Sequence, residues 1–172
     1  MNLKDYIREI PDFPQKGILY RDITPLLGNA EAFSVAIDRL SCFARRRRSQ
    51  VIAGIESRGF IVGAALALQL GLPFVPIRKD GKLPYKTRTQ TYDLEYGTDR
   101  IQIHVDAFSP DQRILLVDDL IATGGTACAA SELVESLGGV VTGICALIQL
   151  PNLGAELKLG NREVFVLVRD HD

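Results

Sequence analysis

Apolar positions in this chain fall mostly in short unbroken runs, separated by helical-period stretches and by polar loops. Ile114 to Val117 reads ILLV, and Val51 to Ile55 and Val140 to Leu150 are of the same kind. Runs of β-branched and leucine residues without alternation suit strands covered on both faces of a parallel sheet. Between them, Phe33, Ala36, Ile37, Leu40 and Phe43 mark one face of a helix that begins at Asn29, a good N-cap, and runs to about Arg46. Ile61 to Leu70 is an Ala-rich buried helix, and Thr126 to Leu137 a further helix stopped by Gly138-Gly139. Phe74 to Ile77 and Val164 to Val168 predict short strands, and Pro151 to Gly160 a Leu-rich loop or short helix. At the N-terminus Leu3, Tyr6, Ile7 and Ile10 recur at helical spacing up to Pro11. Pro11 to Gly17 is expected as loop, Ile18 to Tyr20 as a short strand, and Arg21, Asp22 and Thr24-Pro25 as polar turn. Residues 78 to 100 break the pattern: charges among Gly, Pro, Thr and Tyr predict a long exposed excursion, closed by a half-exposed strand through Ile101, Ile103 and Val105.

Strands alternating with helices give an α/β fold, a mostly parallel twisted sheet flanked on both faces by helices. At 172 residues the chain supports one core, so a single domain is expected over its full length. The uncharged stretches Gly59 to Ile77 and Ser136 to Ala155 are broken by glycine and proline, which argues against membrane spans. The N-terminus carries charges throughout and no apolar core region, unlike a secretory signal.

Charge and cysteine content narrow the classes further. A formal net charge of −1 gives no overall field for nucleic acid or anionic membrane. The basic cluster Arg45 to Arg48 then reads as a solvated helix terminus. Cys42, Cys128 and Cys145 form no CxxC pair and read as reduced thiols of a cytoplasmic protein. The histidines, His104 and His171, are too isolated to propose as catalysts.

The candidate chemistry sits at 114 to 127. Asp118 and Asp119 end the ILLV run, and Thr123-Gly124-Gly125-Thr126 opens the next helix. Glycines let backbone N–H groups approach a phosphate monoester, and the threonines add hydroxyl donors; a plain strand-to-helix turn is the equal alternative for the tetrapeptide alone. The two carboxylates favour a phosphate site with acceptors for vicinal hydroxyls, or indirect partners of a metal ion. A phosphorylated pentose fits both halves. Neither GxxxxGK[ST] nor GxGxxG occurs.

VDDLIATGGTA resembles the 5-phosphoribosyl 1-pyrophosphate (PRPP) signature of the type I phosphoribosyltransferase family. GILYRDITPLL at 17 to 27, GIESRGF at 54 to 60, IRKDGKLP at 77 to 84 and YDLEYG at 92 to 97 are similar, in order and spacing, to its adenine-using members. Together the segments span about Phe13 to Leu150. Ile121 stands where leucine is common in the family.

The resemblance implies transfer of phosphoribose from PRPP to adenine, giving AMP and pyrophosphate, with Mg²⁺ held mainly by the substrate and not by a dedicated protein site. It implies a small N-terminal hood over about 1 to 30, a mobile catalytic loop over about 80 to 96, and a homodimer. Asp118 and Asp119 would take the ribose hydroxyls, and Ala122, Thr123, Gly124, Gly125 and Thr126 the 5-phosphate. Glu56, Ser57 and Arg58 would form the pyrophosphate loop, joined by Arg78, Lys79 and Lys82. Leu19, Tyr20 and Arg21 would line the adenine pocket, with Leu150 across the ring, and Glu95 would handle the N9 proton. Two other readings stay open here: a 6-oxopurine acceptor, and a PRPP-sensing regulator of the same fold.

Overall fold

A computed structural model describes residues 1–93, 97–150 and 153–169. In chain order the strands are β1 (Arg8–Ile10), β2 (Tyr20–Asp22), β3 (Val51–Ile55), β4 (Phe74–Lys79), β5 (Thr87–Asp93), β6 (Thr98–His104), β7 (Arg113–Val117), β8 (Leu120–Ile121), β9 (Val140–Gln149) and β10 (Val164–Arg169). The helices are α1 (Thr24–Leu27), α2 (Ala30–Arg46), α3 (Arg58–Leu70), α4 (Gly125–Glu135) and α5 (Ala155–Leu159). The main sheet has the order β10-β9-β7-β3-β4-β6-β5, with β8 against β9. Pairing is parallel from β10 to β4 and antiparallel through β6 and β5. This is the expected α/β architecture.

The unbroken apolar runs are explained by two cores. On β7, Ile114 and Leu116 face the core under α4 and α5, while Leu115 and Val117 face the core under α2 and α3. β3 divides likewise, with Val51, Ala53 and Ile55 on the first side and Ile52 on the second. A fully buried aliphatic side chain of this kind stabilises the fold by roughly 1.5–3 kcal/mol, so neither face of the central strands tolerates a polar substitution. α2 begins as expected, with the Asn29 side chain accepting from the Ala32 N–H at 2.9 Å.

Several local expectations are corrected. The N-terminal helix is only a 3-10 turn, Leu3–Tyr6, after which Arg8–Ile10 pairs antiparallel with Tyr20–Asp22. The expected strand at 18 to 20 therefore starts later, and Thr24-Pro25 opens the short helix α1. A four-residue turn followed by strand pairing satisfies the backbone where an isolated short helix is marginal. The excursion at 78 to 100 is not irregular throughout: Thr87 to Asp93 pairs with Thr98 to His104 as an antiparallel ribbon. The basic cluster is not simply solvated either, because Arg47 Nε donates to the Thr142 carbonyl at 2.7 Å.

The sheet order reverses between β3 and β7: the chain leaves β3 toward β4 on one side, then returns to build β7, β9 and β10 on the other. Ligands of open α/β sheets bind outside the carboxyl ends of the strands at such a switch point. The loops after β3 and β7 carry the residues singled out above.

Candidate active site

A cleft of about 370 Å³ lies at the switch point, lined by Glu56, Ser57, Arg58, Lys79, Asp118, Asp119 and the loop from Leu120 to Ala127. β7 delivers the two carboxylates, β3 delivers Glu56, and α3 begins at Arg58. α3 can come this close because residue 59 is glycine: a Cβ there would lie 2.9 Å from the Val117 carbonyl and 3.0 Å from Asp118 Cα. The phosphate-type loop closes at Gly124, whose φ of 77° is a left-handed conformation, directly before α4.

Acidic and basic side chains meet in the cleft. Arg58 Nε stands 2.9 Å from Asp119 Oδ2, yet the approach is too oblique for a hydrogen bond, leaving that buried oxygen without a donor among the described residues. Asp118 Oδ1 accepts from the Asp119 N–H at 2.8 Å. Burial, and then the Asp119 charge, raise the Asp118 carboxyl well above the usual carboxylate range. Burial raises Asp119 too, with Arg58 opposing. Paired carboxylates held this way are poised to accept from hydroxyl groups of a ligand.

The second carboxylate cluster is of opposite character. Glu56 accepts from Lys82 Nζ at 2.7 Å, the Lys79 N–H at 2.9 Å and Arg78 at 3.3 Å. Burial alone would raise its pKa, but those donors outweigh it and hold the carboxyl at about 2. Arg78 and Lys82 thus reach the cleft's edge through Glu56, while Lys79 lines the cleft itself. Lys79 Nζ pairs with Asp99 and donates to Tyr92 Oη at 3.3 Å.

Arg58 also links the cleft to the N-terminal segment. Its Nη1 donates to Tyr20 Oη at 2.5 Å and to the Arg21 carbonyl at 3.4 Å, and its guanidinium lies 5.1 Å from the Tyr20 ring centroid. Leu19 is exposed at 40 %, and its carbonyl accepts from Arg21 Nη1 at 3.0 Å. Leu150 directly follows β9, its N–H donating to the Ile121 carbonyl at 2.9 Å. Glu56, Ser57, Arg58, Lys79, Asp118, Asp119 and the loop from Ala122 to Thr126 are therefore gathered in one cleft, with Arg78 and Lys82 at its edge. Tyr20 and Arg21 join it through Arg58, and Leu150 through the backbone of Ile121. Glu95 lies outside the described residues.

Tyr92 and Asp99 were not among the expected site residues, yet they hold Lys79. The one usable signal was a large aromatic, Tyr92, in the otherwise polar TRTQTYD of β5.

A model of the phosphoribosyl transferase domain matches residues 27–166. The chain is 54% identical over 167 residues to the adenine phosphoribosyltransferase of Parvibaculum lavamentivorans, covering 97% of this chain and 95% of that protein. It is 52% identical to the enzyme of the same name from Thermotoga petrophila, over 98% of this chain and 99% of the relative. The chain belongs to the adenine phosphoribosyltransferase family. Crystal structures of family members share the architecture. That of the Thermoanaerobacter pseudethanolicus enzyme superposes with a TM-score of 0.95 at 49% identity, covering 98% of both chains. The Saccharomyces cerevisiae enzyme, crystallised with an imino-altritol bisphosphate and adenine, gives 0.92 at 40% identity over 96% of both chains. The β5–β6 ribbon and the N-terminal β1–β2 pair are thus elements of an adenine phosphoribosyltransferase fold.

Proposed function

We infer that this chain transfers the 5-phosphoribosyl group of PRPP to adenine, forming AMP and releasing pyrophosphate. The observation that carries the reading is the gathering of Asp118, Asp119, the Ala122 to Thr126 loop and Arg58 in one cleft of a family member, with Arg58 reaching Tyr20 on the base side.

In this reading the 5-phosphate sits on the backbone N–H groups and hydroxyls of Ala122, Thr123, Gly124, Gly125 and Thr126 at the start of α4. The ribose hydroxyls donate to Asp118 and Asp119, which gives Asp119 Oδ2 the donor it lacks among the described residues. The pyrophosphate faces Glu56-Ser57-Arg58, with Lys79 beside it and Arg78 and Lys82 at the edge. Adenine N9 forms the new bond to C1 of the ribose as the C1–O bond to pyrophosphate breaks, and the N9 proton passes to Glu95. Charge accumulating on the departing oxygen is offset by Arg58 and Lys79, whose placement before the reaction avoids reorganisation during it. Leu19, Tyr20 and Arg21 flank the base on one side and Leu150 on the other.

No group of three or more His, Cys, Asp or Glu side chains able to hold a metal ion is present among the described residues. The donor set, two adjacent aspartates facing the diol position, suits Mg²⁺ carried in by PRPP, because Mg²⁺ is usually bound through one or two carboxylates plus substrate phosphates. When bound, the ion would neutralise phosphate charge.

The reading extends to a cytoplasmic homodimer. Free Cys42, Cys128 and Cys145 support a reducing compartment. Exposed Ile61 and Leu68 on α3, at 46% and 85%, support a self-association face. No helix among the described residues is long and apolar enough to cross a membrane. Incubation with adenine, PRPP and Mg²⁺, followed by chromatography, tests the activity. AMP and pyrophosphate in equal amounts are expected. No AMP, together with retention of RNA or DNA at physiological salt, would make the chain a regulator instead.

A further inference from the structure

We propose that Tyr92 and Asp99 are positioning residues for the phosphoribosyl donor: they fix the Lys79 ammonium at the cleft, in register with the phosphate loop. The proposal rests on the donor assignment above. Tyr92 and Asp99 are direct cross-strand partners of the β5–β6 ribbon, so their side chains leave the sheet on one face. Tyr92 is 9% exposed, with its ring in the core beside Ala127 and Ala129 of α4. Its hydroxyl is the hub. It donates to Asp99 Oδ2 at 3.1 Å and accepts from Lys79 Nζ at 3.3 Å and from Thr126 Oγ1 at 3.4 Å. A phenolic hydroxyl offers one donor and two lone pairs, and all are used.

Lys79 is held from more than one side. Its ammonium pairs with Asp99, donates to Tyr92 and lies 5.8 Å from the Tyr92 ring centroid. The Arg100 N–H fixes the other Asp99 oxygen at 2.8 Å, which orients the carboxylate. A lysine ammonium has three N–H donors. Among the described residues two are taken by Asp99 and Tyr92, and the third is left for an anion in the cleft. A free lysine would lose much of its rotamer freedom on binding an anion. Here that ordering is built into the protein. The Thr126 contact is long, so its hydroxyl proton can turn to a phosphate oxygen while the heavy atom stays in place. The ribbon thereby sets the distance between the cation and the phosphate loop.

The test is calorimetric titration of the full chain with PRPP and Mg²⁺, together with steady-state kinetics in which PRPP and adenine are varied separately. Asp99→Asn and Tyr92→Phe should each weaken PRPP binding about three- to tenfold, the scale of one lost intramolecular hydrogen bond. The KM for adenine should stay within about twofold, and in a Lys79→Met background Asp99→Asn should add nothing. Unchanged PRPP affinity would overturn the proposal. So would tighter binding, which would make Asp99 a competitor for Lys79, or an equal rise in both KM values, or additive effects in the Lys79→Met background. A wild-type chain that binds no PRPP would overturn the donor assignment and this proposal together. One that binds PRPP without forming AMP would overturn only the acceptor assignment, and the calorimetric cycle would still decide the role of Asp99.

Discussion

Asp118 is held in a form that costs the fold something. Its carboxyl is raised by burial and by the Asp119 charge. A raised acid is destabilising when ionised, so the cost is present above the usual carboxylate range and disappears as the group is protonated. Asp118→Asn keeps the acceptor for the Asp119 N–H and removes the charge. It should raise Tm by about 2–4 °C, the shift expected for ~1 kcal/mol in a chain of this size. Replacing Asp118 and Asp119 together with Asn should weaken PRPP binding roughly ten- to a hundredfold, the loss of charged acceptors for hydroxyls. Scanning calorimetry and titration calorimetry read the two effects separately; unaltered PRPP affinity in the double variant would remove the ribose assignment. Glu56 behaves oppositely. Its folded pKa of about 2 lies below the usual 4.5, so its contribution is complete above pH 4.5 and is lost as pH falls toward 2. With Lys82 half-exposed, solvent screens the pair, and Glu56→Gln should cost on the order of 1 kcal/mol at neutral pH. The variant's deficit relative to wild type should vanish in urea titrations near pH 2.

Among the elements, α3 is the one whose placement the site cannot do without. Gly59 brings its first turn against Val117 and Asp118, which puts Arg58 beside Asp119. Gly59→Ala sets a methyl against backbone that cannot yield and should destabilise the fold by about 1–3 kcal/mol. PRPP affinity should fall with it, because Arg58 moves; an affinity equal to wild type would show that the close approach does not set the site. The same scale shows which parts of the fold were legible in the sequence. β3, β7 and β9 announced themselves because burial on both faces forces unbroken apolar runs, and the α2 cap was visible as Asn29. The N-terminal segment misled because Leu3, Tyr6, Ile7 and Ile10 share a helical period by chance of spacing, while pairing of Arg8–Ile10 with Tyr20–Asp22 decides the backbone. β5 was hidden because Thr, Arg and Gln occupy both of its faces, with Tyr92 its one buried side chain, near the C-terminal end. Lys79 could be picked out by its motif, but its partner Asp99 follows from strand register, which a polar ribbon does not encode in hydrophobicity.

At the scale of the whole molecule, the switch point between β3 and β7 assembles the candidate site from loops far apart in sequence, so the 5-phosphate, diol and pyrophosphate contacts proposed for it depend on one sheet order. The proposed acceptor side rests on the N-terminal β1–β2 pair, tied to that cleft through Arg58 and Tyr20. If α3 forms the self-association face, light scattering should give a mass near twice 18.9 kDa, and Leu68→Glu should reduce it to the single-chain value. A dimer that survives Leu68→Glu would place the interface elsewhere. The central claim, that adenine is the acceptor, is tested most directly by competing adenine against hypoxanthine for PRPP and Mg²⁺ while following pyrophosphate release and the nucleotide formed. AMP should dominate, with hypoxanthine scarcely used even in excess; preferential formation of IMP would contradict the assignment.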